Sequence, residues 1–176
     1  APIHRSNIDT PLAAYVTSRR LRFMGKDSIW KFAPIGWVLS ALGAFPVTRG
    51  SADREALKRC IAVLEAGEPL VLFPEGTRQS GPIVQPLFDG AAYVAVKAGV
   101  PIIPVGIGGS ERVMPKGSKM IYPRKCVLVV GEPIFTPIDE AGRVPRSAVK
   151  DVTSRLFDDL QRLFDEAQRL AGTPND

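Results

Sequence analysis

The sequence predicts an α/β domain: a mostly parallel central sheet flanked by helices. Three observations predict it. Short, wholly apolar runs such as Leu70-Val71-Leu72-Phe73 read as strands covered on both faces. Amphipathic helical stretches alternate with those runs. The chain has 176 residues, the size of one domain that can bury a core without metals or disulfides.

Taken in order, Asp9-Thr10-Pro11 reads as a cap followed by a first-turn proline, opening a helix to about Ser18. Residues 21–24 form a short strand ended by Gly25. Asp27 and Ser28 cap a helix carrying Ile29, Trp30, Phe32, Val38 and Leu39, and residues 43–47 return as a strand. Residues 52–66 are a clear amphipathic helix, with Leu57, Ile61, Val63 and Leu64 on its apolar side and Gly67 as its stop. After the strand at 70–73 comes a helix over 90–98 closed by Gly99, then buried strands at 102–105 and 126–130. Val149, Val152, Leu156, Leu160, Leu163 and Phe164 have helical spacing within 145–171. Residues 108–124 form a Gly/Pro-rich loop long enough to be functional, and the tail after Gly172 is expected to be disordered.

The formal net charge is +5, which favours acidic partners such as anionic lipid or phosphorylated substrates. Nucleic acid is not expected, because no zinc knuckle, aromatic RNP-like run or long basic helix occurs. Cys60 and Cys126 have no metal-ligand spacing and read as buried thiols of a reducing compartment. No run reaches the roughly 18–20 apolar residues of a membrane span. The nearest, residues 34–47, follows Arg19, Arg20, Arg22 and Lys26 and has Trp30, Lys31, Phe32 and Trp37 around it. Such a segment suits a membrane surface as well as a core helix and strand, and both readings stay open.

Three stretches carry chemistry. The only histidine, His4, stands five positions before Asp9. A neutral imidazole can take a proton from a hydroxyl, and a carboxylate on its other nitrogen fixes the tautomer. No G-x-S-x-G elbow surrounds Ser110, so the proton would come from a substrate hydroxyl or a water. Phe73-Pro74-Glu75-Gly76-Thr77-Arg78 follows an apolar strand, where α/β sheets bind ligands. There Gly76 shapes the turn, Thr77 adds a hydroxyl, Arg78 a fork suited to phosphate, and Glu75 orients Arg78 or a substrate hydroxyl. Arg49 ends the strand of Phe45-Pro46-Val47-Thr48 in the same way. Each feature alone is equally a surface turn or a solvated charge.

Together with Val100-Pro101-Ile102-Ile103-Pro104-Val105, these stretches resemble, block by block and in order, the glycerolipid acyltransferases typified by 1-acylglycerol-3-phosphate acyltransferase. The resemblance implies the α/β fold of that family over residues 1–176, without its first strand and membrane-associating segment. It also implies transfer of a fatty acyl group from a thioester, acyl-CoA or acyl carrier protein, to a glycerophosphate hydroxyl. On that analogy His4 is the general base and Asp9 orients it. Arg49 holds the acceptor phosphate, and Glu75, Gly76, Thr77 and Arg78 complete the acceptor site. The proline block at 100–105 supports the sheet and the acyl side of the pocket. No metal or other cofactor is expected. The partners would be a lipid acceptor, the thioester and a membrane surface, with the protein peripheral on the cytoplasmic side.

The pattern departs from the family in three places. Ile3 stands where Asn often precedes the histidine, and Gln79 separates Arg78 from Ser80. Phe88 occupies the lysine position of a Phe-Lys-x-Gly stretch, with Asp89 adding an anion, which puts the lysophosphatidate acceptor in doubt. The competing readings are an acyl-thioester hydrolase on the same scaffold and a silent lipid- or phosphate-binding domain.

Overall fold

The computed structural model describes residues 1–47, 54–118, 120–136 and 143–175. The first helix, α1 (Asp9–Ala13), is shorter than expected and tightens into a 3-10 turn over Ala14–Val16. Strand β1 (Arg22–Lys26) runs on through Gly25, where a Cβ would lie 2.6 Å from the Trp30 ring. The helix expected after Asp27 is two pieces: a 3-10 turn over Asp27–Lys31 and α2 (Ala33–Ala41), with Phe32 extended between them. Pro34 explains the break. It has no N–H for a carbonyl four residues back, and its ring crowds that carbonyl, so it is accommodated only in a first turn.

Strand β2 (Ala44–Val47), α3 (Arg54–Glu65) and β3 (Leu70–Val71) follow. The three strands form a parallel sheet in the order β2-β1-β3, with α2 and α3 as the crossovers. The ladder on β3 is shorter than its apolar run, because only Leu70 and Val71 pair with β1. Arg22 and Glu68 form an ion pair at the entrance to this sheet.

Helix α4 (Gly90–Ala98) ends on Gly99 in the left-handed region, as its sequence predicts. Strand β4 begins later than expected, at Val105, and runs to Gly108. Pro101 and Pro104 carry no N–H, so residues 102–104 make only an isolated bridge, Ile102 with Ile134. The rest of the anticipated loop holds α5 (Ser110–Val113). Strand β5 (Val127–Val130) pairs antiparallel with β4, and Pro2 bridges to Val105 in the parallel sense. The described strands therefore form two sheets, a three-stranded parallel one and a two-stranded antiparallel one.

Helix α6 (Arg146–Ala171) lies across β4 and β5. Its buried stripe of Val149, Val152, Leu156, Leu160, Leu163 and Phe164 is the one its spacing predicts. Close approach depends on two glycines of β4. A Cβ on Gly106 would lie 2.2 Å from the Leu163 carbonyl oxygen, and one on Gly108 2.2 Å from the Ala167 backbone. Residues 173–175 bond to α6: the Thr173 amide donates to the Gln168 carbonyl and Asn175 to Asp165. Between β3 and residues 100–105 lies an apolar cavity of about 710 Å³, bordered by Val71, Val94, Ala95, Ile102 and Ile103.

Candidate active site

The site is a short turn, residues 3–9, stitched to the turn that follows β3. Asp9 opens α1, and its side chain folds back over the turn instead of capping the helix forward. Its Oδ2 accepts from the amides of Arg5 and Ser6, each at 2.6 Å, and meets His4 Nδ1 at 3.1 Å. Two backbone donors lock the carboxylate in place, so a spacing too long for one helical turn still brings acid and imidazole together. Ser6 Oγ donates to the Met114 carbonyl at 2.7 Å and ties the turn to the segment after α5.

A carboxylate offers only acceptors, so the contact requires the ring proton on Nδ1 and leaves the Nε2 lone pair unused. Asp9 is fully buried, whereas the His4 side chain is 13% exposed. The imidazole stacks on Phe73, with ring centroids 4.0 Å apart and planes inclined by 23°. Carboxylate and phenyl together fix both the tilt and the tautomer of the ring. The Asp9 charge is felt nearby. Burial, and after it Asp9, push the Cys126 thiol up. Burial pushes the Glu111 carboxyl up as well; Arg5 opposes that shift, and Asp9 adds a smaller push upward.

Glu75 requires a correction. The sequence suggested that it orients Arg78 or a substrate hydroxyl, but it is 1% exposed and pairs with Arg5. Its Oε1 and Oε2 accept from Arg5 Nη1 at 2.9 and 2.8 Å. Oε2 also accepts the His4 amide at 3.1 Å, and Oε1 the Gln85 amide at 3.0 Å. A carboxylate with its lone pairs so engaged and no access to solvent is a strut beneath the histidine, not a ligand for the acceptor.

Arg5, which the motif reading passed over as a spacer, is the residue the sequence hid. Its guanidinium donates to Glu75, to the His4 carbonyl at 3.2 Å, to Gly81 at 3.3 Å and to Ile83 at 3.1 Å. It also stands 4.9 Å above the centre of the Phe164 ring on α6. An arginine between a histidine and an aspartate was a possible signal, but its partner lies 70 positions away.

The rest of the 73–78 block sits in the turn after β3. The Gly76 amide donates to the Phe73 carbonyl at 3.0 Å, with Gly76 at φ +70°. A side chain there would also meet the Phe88 ring at 2.7 Å. Thr77 is exposed and Arg78 half-buried, and neither makes a hydrogen bond or ion pair among the described residues. Arg78 immediately precedes Gln79, whose amide donates to the His4 carbonyl at 2.9 Å. The block's backbone is thus tied to the histidine turn through Gln79. Arg49 lies outside the described residues. Val100, Pro101, Ile102, Ile103 and Val105 border the apolar cavity, whose lining excludes His4 and Asp9. Cys60 is buried as expected, whereas Cys126 is only half-buried.

Comparison with known proteins matches residues 1–108 to the family described as Acyltransferase. The chain is 33% identical over 117 residues to the chloroplastic 1-acyl-sn-glycerol-3-phosphate acyltransferase BAT2 of Brassica napus, covering 65% of this chain and 34% of that protein. It is 30% identical over 161 residues to the 1-acyl-sn-glycerol-3-phosphate acyltransferase of Streptococcus pneumoniae, covering 90% and 57%. A lyso-ornithine lipid O-acyltransferase of Pseudomonas aeruginosa is 30% identical over 105 residues, covering 59% and 40%. The crystal structure of the 1-acyl-sn-glycerophosphate acyltransferase PlsC of Thermotoga maritima superposes with a TM-score of 0.71 at 28% identity, covering 92% of this chain and 64% of that one. The chain spans about a third to three-fifths of the length of these relatives.

Proposed function

The chain belongs to the acyltransferase family, and on that premise we propose that it moves a fatty acyl group from a thioester to a lipid hydroxyl in phospholipid synthesis. The acceptor is a glycerophosphate such as 1-acylglycerol-3-phosphate, and the donor is acyl-CoA or acyl carrier protein. The observation that carries the reading is the His4–Asp9 pair: a buried carboxylate on Nδ1, and Nε2 left free to accept a proton.

The acceptor hydroxyl attacks the thioester carbonyl carbon as Nε2 takes its proton. An O–C bond forms, the C–S bond breaks, and the imidazolium returns the proton to the departing thiolate. Asp9 holds the ring and stabilises the imidazolium that forms between these steps. Thr77 and Arg78, with Arg49 beyond the described residues, hold the acceptor phosphate. The protein works as a peripheral enzyme on the cytoplasmic surface of a membrane, where its acceptor resides.

Phe88 favours a second acceptor. Its ring covers Gly76 at the edge of the turn, and this position offers an aromatic face in place of a cation. A lyso-ornithine lipid, the lipid in the name of the Pseudomonas relative, suits that edge better.

The test is thiol release from acyl-CoA with lysophosphatidate, glycerol-3-phosphate or lyso-ornithine lipid supplied in turn. Release should depend on an acceptor, and His4→Ala should lower it by about a hundredfold to ten-thousandfold. Release indifferent to every acceptor would make the protein a thioester hydrolase. Full acceptor-dependent activity in His4→Ala would end the mechanism.

A further inference from the structure

We propose that α2 is the surface by which this protein docks on a membrane, with its uncovered apolar face seated among the headgroups of an anionic bilayer. The inference rests on the function proposed above and deepens it, because it names the face that meets the lipid phase.

Residues 32–47 contain no charged side chain. Two adjacent rows of α2 lie open to solvent: Ala33, Trp37 and Ala41, and beside them Pro34, Val38 and, just past the helix end, Leu42. Positions four apart stack on one helix face, so these rows form a continuous apolar strip. Trp37 is 75% exposed, Leu42 65% and Phe32, just before the helix, 62%. Trp30 holds the strip in this orientation from the other side of the helix. Its indole N–H donates to Ser40 Oγ at 3.0 Å, and its ring fills the space against Gly36. The principal contacts of α2 are with the 27–31 turn and β2, which leaves the strip uncovered among the described residues.

Charge selects the occupant. Lys31 is exposed at the start of the helix, and Arg20 donates to the Ala41 carbonyl at 2.7 Å at its end. An apolar strip carrying tryptophan and phenylalanine and bracketed by cations matches the boundary between acyl chains and anionic headgroups. A nine-residue helix is too short to span a bilayer and would lie in the plane of the interface. In a two-fold contact with another copy, the cations at the ends of the strip would recur on both sides of one self-complementary patch, an arrangement that repels.

Sedimentation with vesicles of phosphatidylcholine and phosphatidylglycerol, and with phosphatidylcholine alone, tests the docking. The protein should partition onto the mixed vesicles, less so onto the neutral ones, and release as salt is raised. Trp37→Ser/Leu42→Ser should weaken partition by about thirtyfold or more, and Lys31→Gln by about fivefold. Phe135→Ser, an exposed apolar side chain elsewhere, should bind as the parent does. Transfer to a soluble short-chain acceptor should be equal in the parent and the α2 variant.

Equal partition of parent and α2 variant would overturn the proposal, as would failure of the parent to bind either vesicle. So would a parent dimer that the same substitutions dissolve, because a second copy would then cover the strip. Vesicle binding that depends on α2, in a protein that transfers no acyl group to any acceptor, would uphold the docking and remove the proposed function.

Discussion

The Arg5–Glu75 pair is where stability and catalysis can be separated by experiment. Both side chains are wholly buried and bonded to one another, and the carboxylate also holds the His4 amide. Glu75→Leu leaves a buried guanidinium with only backbone carbonyls as partners, a change that costs about 3–5 kcal/mol. In a domain of this size that loss lowers the thermal midpoint by roughly 6–20 °C. Arg5→Met should do similar damage by stranding the carboxylate. The double variant removes both charges and puts apolar volume in their place, so it should recover most of the lost stability. It does not restore the hydrogen bonds to the His4 amide and carbonyl. An imidazole displaced by about 1 Å costs on the order of a hundredfold in rate. The double variant should therefore melt near the parent yet keep kcat depressed, with KM for the acceptor little changed. Calorimetry and steady-state thiol release on the same preparations measure both quantities. Recovery of kcat along with the midpoint would show that the pair only holds the fold together, and the strut argument would fail.

Other expectations follow from packing and charge. Gly106→Val should destabilise the protein by at least about 1–3 kcal/mol in a denaturant titration, because the added carbons meet α6 backbone that cannot move aside. Of the two thiols, half-buried Cys126 should react with a disulfide reagent in the native protein and Cys60 only after unfolding. Burial pushes the Cys60 thiol up to about 11 from an ordinary 9.0, so its contribution to stability is whole below pH 9 and should fade as pH rises through 11. A thermal midpoint that stays flat over that interval would contradict the assignment. Phe88→Lys places a cation at the edge of the Gly76 turn and should lower KM for a phosphate acceptor by up to about fivefold, without helping a phosphate-free one.

What could be read in advance was whatever depends on neighbours in sequence. The stripe of α6 and the stop of α4 at Gly99 rest on local periodicity and local turn chemistry, and they stand as predicted. The first turn of α2 misled because one proline outweighed the apolar pattern around it, and the start of β4 misled because two prolines removed its donors. Partners distant in sequence left no local trace. The sequence points Glu75 at Arg78, three positions on, or at a substrate hydroxyl, yet burial favours the arginine that can be fully enclosed. That arginine is Arg5, because residues 81–83 supply carbonyls to its remaining donors and Phe164 closes its upper face. A solvated arginine beside the turn needs none of this. The same reasoning explains why residues beyond 108, outside the matched family region, still bear on the site: Phe164 sits over Arg5, and the Met114 carbonyl anchors Ser6. The imidazole is therefore held by contacts drawn from both ends of the chain, and a fragment stopping at residue 108 would keep the motifs while losing the packing that aims them.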